Sequence, residues 1–133
     1  ITIMSAAVAD YTPEHIYGEK LKKTEDSFTI SLTKTKDILK TLGSLKTSNQ
    51  ILVGFALETN DEKENALKKL NLKNADMIVL NSLQDAGAGF GHDTNKITIF
   101  DKAGNTFPFD IKSKKEVAID IVNTIIQQFY AKN

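Results

Sequence analysis

Three runs along the chain are apolar almost throughout, and polar stretches separate them. Residues 1–9, "ITIMSAAVA", form a continuous run of mostly small and apolar side chains and predict a buried parallel strand. "ILVGFA" at 51–56 and "DMIVLN" at 76–81 predict two more. Between the first and second runs, "FTISL" at 28–32 alternates and predicts a half-buried strand. "DILKTLGSLK" at 37–46 then changes period. It sets Ile38, Leu42 and Leu45 on one helical face with Leu39 beside them. "TNDEKENALKKLNLK" at 59–73 reads as a second helix, with polar cap residues and acids in its first turn.

Residues 82–94, "SLQDAGAGFGHDT", read as a Gly-rich loop. "NKITIFD" and "NTFPFDI" alternate around "DKAGN" and predict a β-hairpin. In the last helix Ser113 and Glu116 have capping-box spacing, and Val117, Ile121, Ile125 and Phe129 form a long apolar stripe. There is no internal repeat and no linker, so residues 1–133 read as one domain. Strand, helix, strand, helix, strand is a βαβ rhythm. The expected fold is α/β: a three-layer, Rossmann-like, mostly parallel sheet with an added antiparallel β-hairpin. Ligands of such sheets sit outside the carboxyl ends of the strands. That draws attention to Asp10, to Phe55 with Glu58 just beyond, and to Asn81.

Composition narrows the chemistry. The formal net charge is zero, with 17 basic and 17 acidic residues. That balance gives no case for a nucleic-acid surface or a polybasic membrane patch. No apolar stretch approaches membrane-spanning length. With no cysteine, disulfides, thiolate metal sites and a Cys nucleophile are excluded within the chain. This is compatible with a cytoplasmic protein. Every basic residue is lysine. Anion recognition must then use lysine charges, backbone N–H groups and helix N-termini, not guanidinium forks.

Each candidate residue has two readings. Asp10 could hold Mg²⁺ against phosphate oxygens, or cap a turn before Pro13. Lys20, Lys22 and Lys23 could neutralise phosphates, or form a solvated face. Lys69 and Lys73, four apart on a helix, could reach one anion together, or complement the helix dipole. Phe55 could cover a base, or fill the core. His15 and His92 lack ligand spacing, and His92 with Asp93 reads better as loop than as metal site. "GAGFG" at 87–91 opens no helix and is not a dinucleotide fingerprint.

Taken in order, "AAVADYTP", "KLKK", "LVGFALET", "ADMIVLN" and "GFGHDTNKITIFD" resemble bacterial phosphopantothenoylcysteine synthetase, the C-terminal half of the bifunctional coenzyme A biosynthesis flavoprotein. The resemblance covers nearly the whole chain. It implies ligation of 4′-phosphopantothenate to cysteine with CTP and Mg²⁺. An acyl-cytidylate forms with release of pyrophosphate, and cysteine then displaces CMP. It also implies a homodimer or higher assembly, with the hairpin region in contact across it. FMN belongs to the decarboxylase half and is not expected here.

Position by position, the resemblance implies that Met4, Ser5 and Ala6 meet the nucleotide through their backbone. Asp10 lies near the triphosphate and its cation, and is the expected metal ligand. Lys20, first in the K-x-K-K motif, is the expected catalytic residue, closing over the reacting groups. Lys36, Asp37, Ile38 and Leu39 form a nucleotide-contacting turn, Phe55 packs at the nucleotide, and Lys69 and Lys73 bind it. Two positions depart from the family. Thr12 replaces a basic residue, and Lys36 replaces a proline. The family's N-terminal Gly-rich loop and S-N-R-S-S-G segment do not occur in these residues. The chain, which opens directly in a strand at Ile1, is therefore expected to be the C-terminal part of a ligase domain, inactive alone. The competing expectation is a non-catalytic nucleotide-binding or dimerisation module.

Overall fold

A computed structural model of the chain describes residues 1–20, 28–82 and 93–131. Its elements are β1 (Thr2–Met4), β2 (Tyr11–Pro13), β3 (Leu32–Lys34), α1 (Ile38–Leu45), β4 (Leu52–Glu58), α2 (Glu62–Leu72), β5 (Met77–Ser82), β6 (Thr94–Asp101), β7 (Thr106–Ser113) and α3 (Lys114–Phe129). Five strands form one sheet in the order β1-β4-β5-β6-β7, and β2 pairs with β3 in a separate ribbon. β1, β4 and β5 are parallel, β6 runs against β5, and β7 runs against β6. Four of the five strands thus share a direction, and the α/β expectation with an antiparallel hairpin holds.

Alternation along the central strands explains the three layers. Leu52, Ala56, Ile78 and Leu80 face α1 and α2, where Ala66, Leu70, Leu39 and Leu42 meet them. Val53, Met77, Val79, Ile97 and Ile99 face the opposite way and pack on Val117, Ile121 and Ile125 of α3. Each large aliphatic side chain so buried contributes roughly 1.5–3 kcal/mol relative to leaving it in water. The Ser113–Glu116 capping box forms as the spacing predicts and starts α3 at Lys114.

The early part of the chain departs from the pattern. Only Thr2–Met4 of the expected nine-residue strand is strand, and Ile3 is 42% exposed. Among the described residues β1 pairs only with β4, and the chain leaves the sheet after Met4. The expected strand at 28–32 is also displaced. β3 begins at Leu32, and Phe28, Ile30 and Leu32 are exposed because the β2–β3 ribbon packs no apolar face into the core. In α1 the inward residues are Leu39, Leu42 and Gly43, whereas Ile38 and Leu45 are exposed. Phe129 likewise sits at the edge of its stripe and is partly exposed.

The inward face of α1 is set by Gly43. A Cβ there would stand 1.8 Å from the carbonyl oxygen of Lys73, the C-cap residue of α2. The Asn74 side chain then donates to the Gly43 carbonyl at 2.7 Å. Asn74 itself takes a positive φ of 50°, a conformation that asparagine tolerates. At the same end of the sheet lies Asp76, just before β5. Its carboxylate accepts from the half-buried Lys46 ammonium and, at 2.8 Å, from the Leu52 backbone N–H. Lys102, in the β6–β7 turn, donates to Asn74 at 2.5 Å and lies 3.9 Å from Asp76.

Candidate functional site

The carboxyl ends of β1, β4 and β5 open into a cleft of about 830 Å³. The segment leaving β1 supplies Met4, Ser5, Ala6 and Asp10 to its wall. Lys36, Asp37, Ile38 and Leu39 enter from the start of α1, Phe55 from β4, and Lys69 and Lys73 from the end of α2. These segments are far apart in sequence, and the βαβ topology brings them together.

Local rules place each group. Asp37 is the N-cap of α1: its Oδ1 accepts from the Lys40 backbone N–H at 2.8 Å. The amino terminus of α1, which attracts anions, therefore begins at the cleft. Leu39 can press onto the sheet because Gly54 has no side chain; a Cβ there would meet Leu39 at 2.7 Å and Ile78 at 2.9 Å. The segment carrying Asp10 is tied to the approach to α1 by two bonds. Thr35 donates from its backbone to the Asp10 carbonyl at 2.9 Å, and from Oγ1 to the Ala9 carbonyl at 2.6 Å. No cap or hairpin signal in the sequence marks Thr35 for this task.

The charges in the cleft are unequal. Lys73 donates to Asp37 Oδ2 at 2.5 Å, whereas Lys69 has no ion pair among the described residues. The Asp10 carboxylate also has no partner among them. The Lys73 hydrogen bond, then the Lys40 N–H, hold the Asp37 carboxyl below the ordinary value of 3.8. A lowered carboxyl pKa means that the tether's stabilisation is complete above 3.8 and is lost as the pH falls through the lowered value. A carbon-13 NMR titration of Asp37 is expected to give a midpoint below 3.8. A midpoint above that value would contradict the pairing.

Eleven of the twelve site positions expected from the sequence thus line one cleft. Lys20 does not; it is exposed and absent from the wall. Lys22, Lys23 and His92 lie outside the described residues. Tyr11, Lys34, Asn95 and Lys114 also line the cleft, although none was singled out as a candidate site residue. Asn81, noted only as a strand end, lines it as well, and its Oδ1 is buried with no donor among the described residues. Among the described residues no three acidic or histidine side chains cluster as a metal cage. No described helix is long and apolar enough to cross a membrane.

A mixed α/β sheet with a lysine-lined cleft across the carboxyl edge of its parallel strands defines a Rossmann-like protein. Residues 1–129 match the family described as DNA/pantothenate metabolism flavoprotein C-terminal domain, and the chain belongs to that family. It is 49% identical over 125 residues to the coenzyme A biosynthesis bifunctional protein CoaBC of Bacillus subtilis (strain 168), covering 94% of this chain and 30% of that protein. It is 55% identical over 126 residues to a protein from an unknown prokaryotic organism named cysteine/cysteine sulfinic acid decarboxylase, covering 95% of this chain and 35% of that one. The crystal structure of the C-terminal domain of a CoaBC protein superposes with a TM-score of 0.74 at 38% identity, covering 98% of this chain and 55% of that domain. The chain therefore spans about a third of the length of these curated relatives.

Proposed function

We propose that the cleft binds the CTP of a phosphopantothenate–cysteine ligase, and that the complete protein joins 4′-phosphopantothenate to cysteine in coenzyme A biosynthesis, a cytoplasmic reaction. The observation that carries this reading is the meeting of Asp10, the α1 amino terminus, Phe55, Lys69 and Lys73 in one cleft. Two lysines and a helix N-terminus suit a polyphosphate. Phe55 offers a flat apolar surface to the base.

Asp10 fits a Mg²⁺ site of the kind that uses one protein carboxylate and completes its shell with phosphate oxygens and water. Its carboxylate is exposed and without a partner among the described residues, as that task requires. The ion would supply neutralisation of phosphate charge. The chain's own groups position the triphosphate so that the substrate carboxylate can attack its α-phosphorus, and catalysis rests on orientation and charge stabilisation. Lys20 is the proposed clamp. A second copy of the chain is part of the same proposal. Apolar side chains exposed around β2 and β3, among them Ile16, Tyr17 and Phe28, support it.

The test is calorimetric titration with CTP and with ATP, each with Mg²⁺. CTP is expected to bind in preference to ATP, and Lys69→Ala or Lys73→Ala to weaken it about tenfold each, as for loss of one charge-assisted contact. If the folded protein binds neither nucleotide, the ligase reading fails and the non-catalytic module stands.

A further inference from the structure

Lys73 is held at both ends. Its backbone carbonyl lies against Gly43, and its ammonium is bound by Asp37. Lys69, one turn earlier on the same face, carries its charge unpaired among the described residues. Capping the helix does not require this arrangement. The Lys40 N–H uses Oδ1 of Asp37, and an asparagine or serine would cap as well. The other oxygen, Oδ2, is not used by the cap and accepts from Lys73 instead.

Asp10 can meet phosphate through a cation, but Asp37 spends its charge directly on one of the cleft lysines. It repels the phosphate that the lysines attract, and it neutralises part of their charge. The pair is also only partly sheltered, with side-chain exposures of 24% for Lys73 and 42% for Asp37. Water screens it, and such pairs exchange partners at little cost. A phosphate oxygen offers Lys73 an acceptor of higher charge than a carboxylate.

We propose that Asp37 is an internal counter-anion of the cleft: it holds Lys73 in place while the cleft is empty and gives it up to the polyphosphate. This inference rests on the nucleotide reading of the cleft. Asp37 positions the lysine before binding, and its charge afterwards weakens the grip on the polyphosphate. Release of the pyrophosphate product is thereby eased. Asp37 acts through Lys73 and does not touch the reacting atoms.

The probe is inorganic triphosphate with Mg²⁺, titrated calorimetrically into the full chain and into Asp37→Asn and Asp37→Ser. Both substitutions keep an N-cap and remove the charge. Each variant is expected to bind triphosphate about threefold to tenfold more tightly than wild type, the size of one screened charge at close range. Damage to the helix would move affinity the other way. In Asp37→Asn combined with Lys73→Ala the gain is expected to vanish. Wild-type binding with equal or weaker binding by both variants overturns the proposal and leaves the nucleotide reading intact. If wild type and variants alike bind no triphosphate, both are overturned.

Discussion

Asp76→Ala is expected to destabilise the fold by about 2–3 kcal/mol, below the cost of breaking a fully buried ion pair because this pair is partly exposed. Lys46 would keep a largely sheltered ammonium without its counter-charge, since its side chain is only 12% exposed. The Leu52 N–H would lose its acceptor as well. The Lys102 ammonium adds to the strain. Burial, then the charge of Lys46, already hold its pKa below the ordinary lysine range, and Asp76 is the attraction that opposes them. Without Asp76, two lysines face each other at the root of β5. Denaturant titration monitored by circular dichroism measures the loss. Asp76→Asn, which keeps an acceptor for Leu52, is expected to lose less. Equal and small losses for both variants would show that the cluster adds no stability.

Gly43→Ala is expected to cost about 3 kcal/mol, at the upper end for overpacking, because the obstacle is backbone. The new methyl group would have to share space with the Lys73 carbonyl, and no side-chain rotation can relieve that contact. α1 must then lift from α2, which separates Asp37 from Lys73 and the helix start from both lysines. The loss of stability should thus come with a loss of CTP affinity, read by calorimetry on protein still folded. A variant with unchanged midpoint and affinity would mean that the helices slide freely, contrary to the contact described.

The fold was legible where burial is two-sided or where caps are explicit. "ILVGFA" and "DMIVLN" are flanked on both faces, so continuous apolarity identified β4 and β5. Ser113 with Glu116, and the turn after Asp101, fixed α3 and the hairpin through local chemistry alone. Residues 1–9 misled because small apolar side chains suit a cleft wall as well as a strand interior. α1 misled because periodicity allows two neighbouring faces, and only the distant Lys73 carbonyl selects the one bearing Gly43. Motif resemblance carried the cleft residues, since Asp10, Phe55, Lys69 and Lys73 each had an ordinary reading alone. Thr35 and the Asp37–Lys73 bond were not legible, because both join residues more than twenty positions apart.

β1 has a consequence for the way the protein assembles. It aligns Thr2, Ile3 and Met4 with Leu52, Val53 and Gly54, closing about fifty residues of chain with a three-residue ladder. Closing a loop of that length costs about 3.5 kcal/mol beyond a constant term. The β6–β7 hairpin, by contrast, closes over a four-residue turn. The hairpin can therefore form early, whereas β1 docks only once β4 and its helices offer a surface. Met4 and Asp10 follow from β1 into the cleft wall, so that wall depends on a pairing made across about fifty residues of chain.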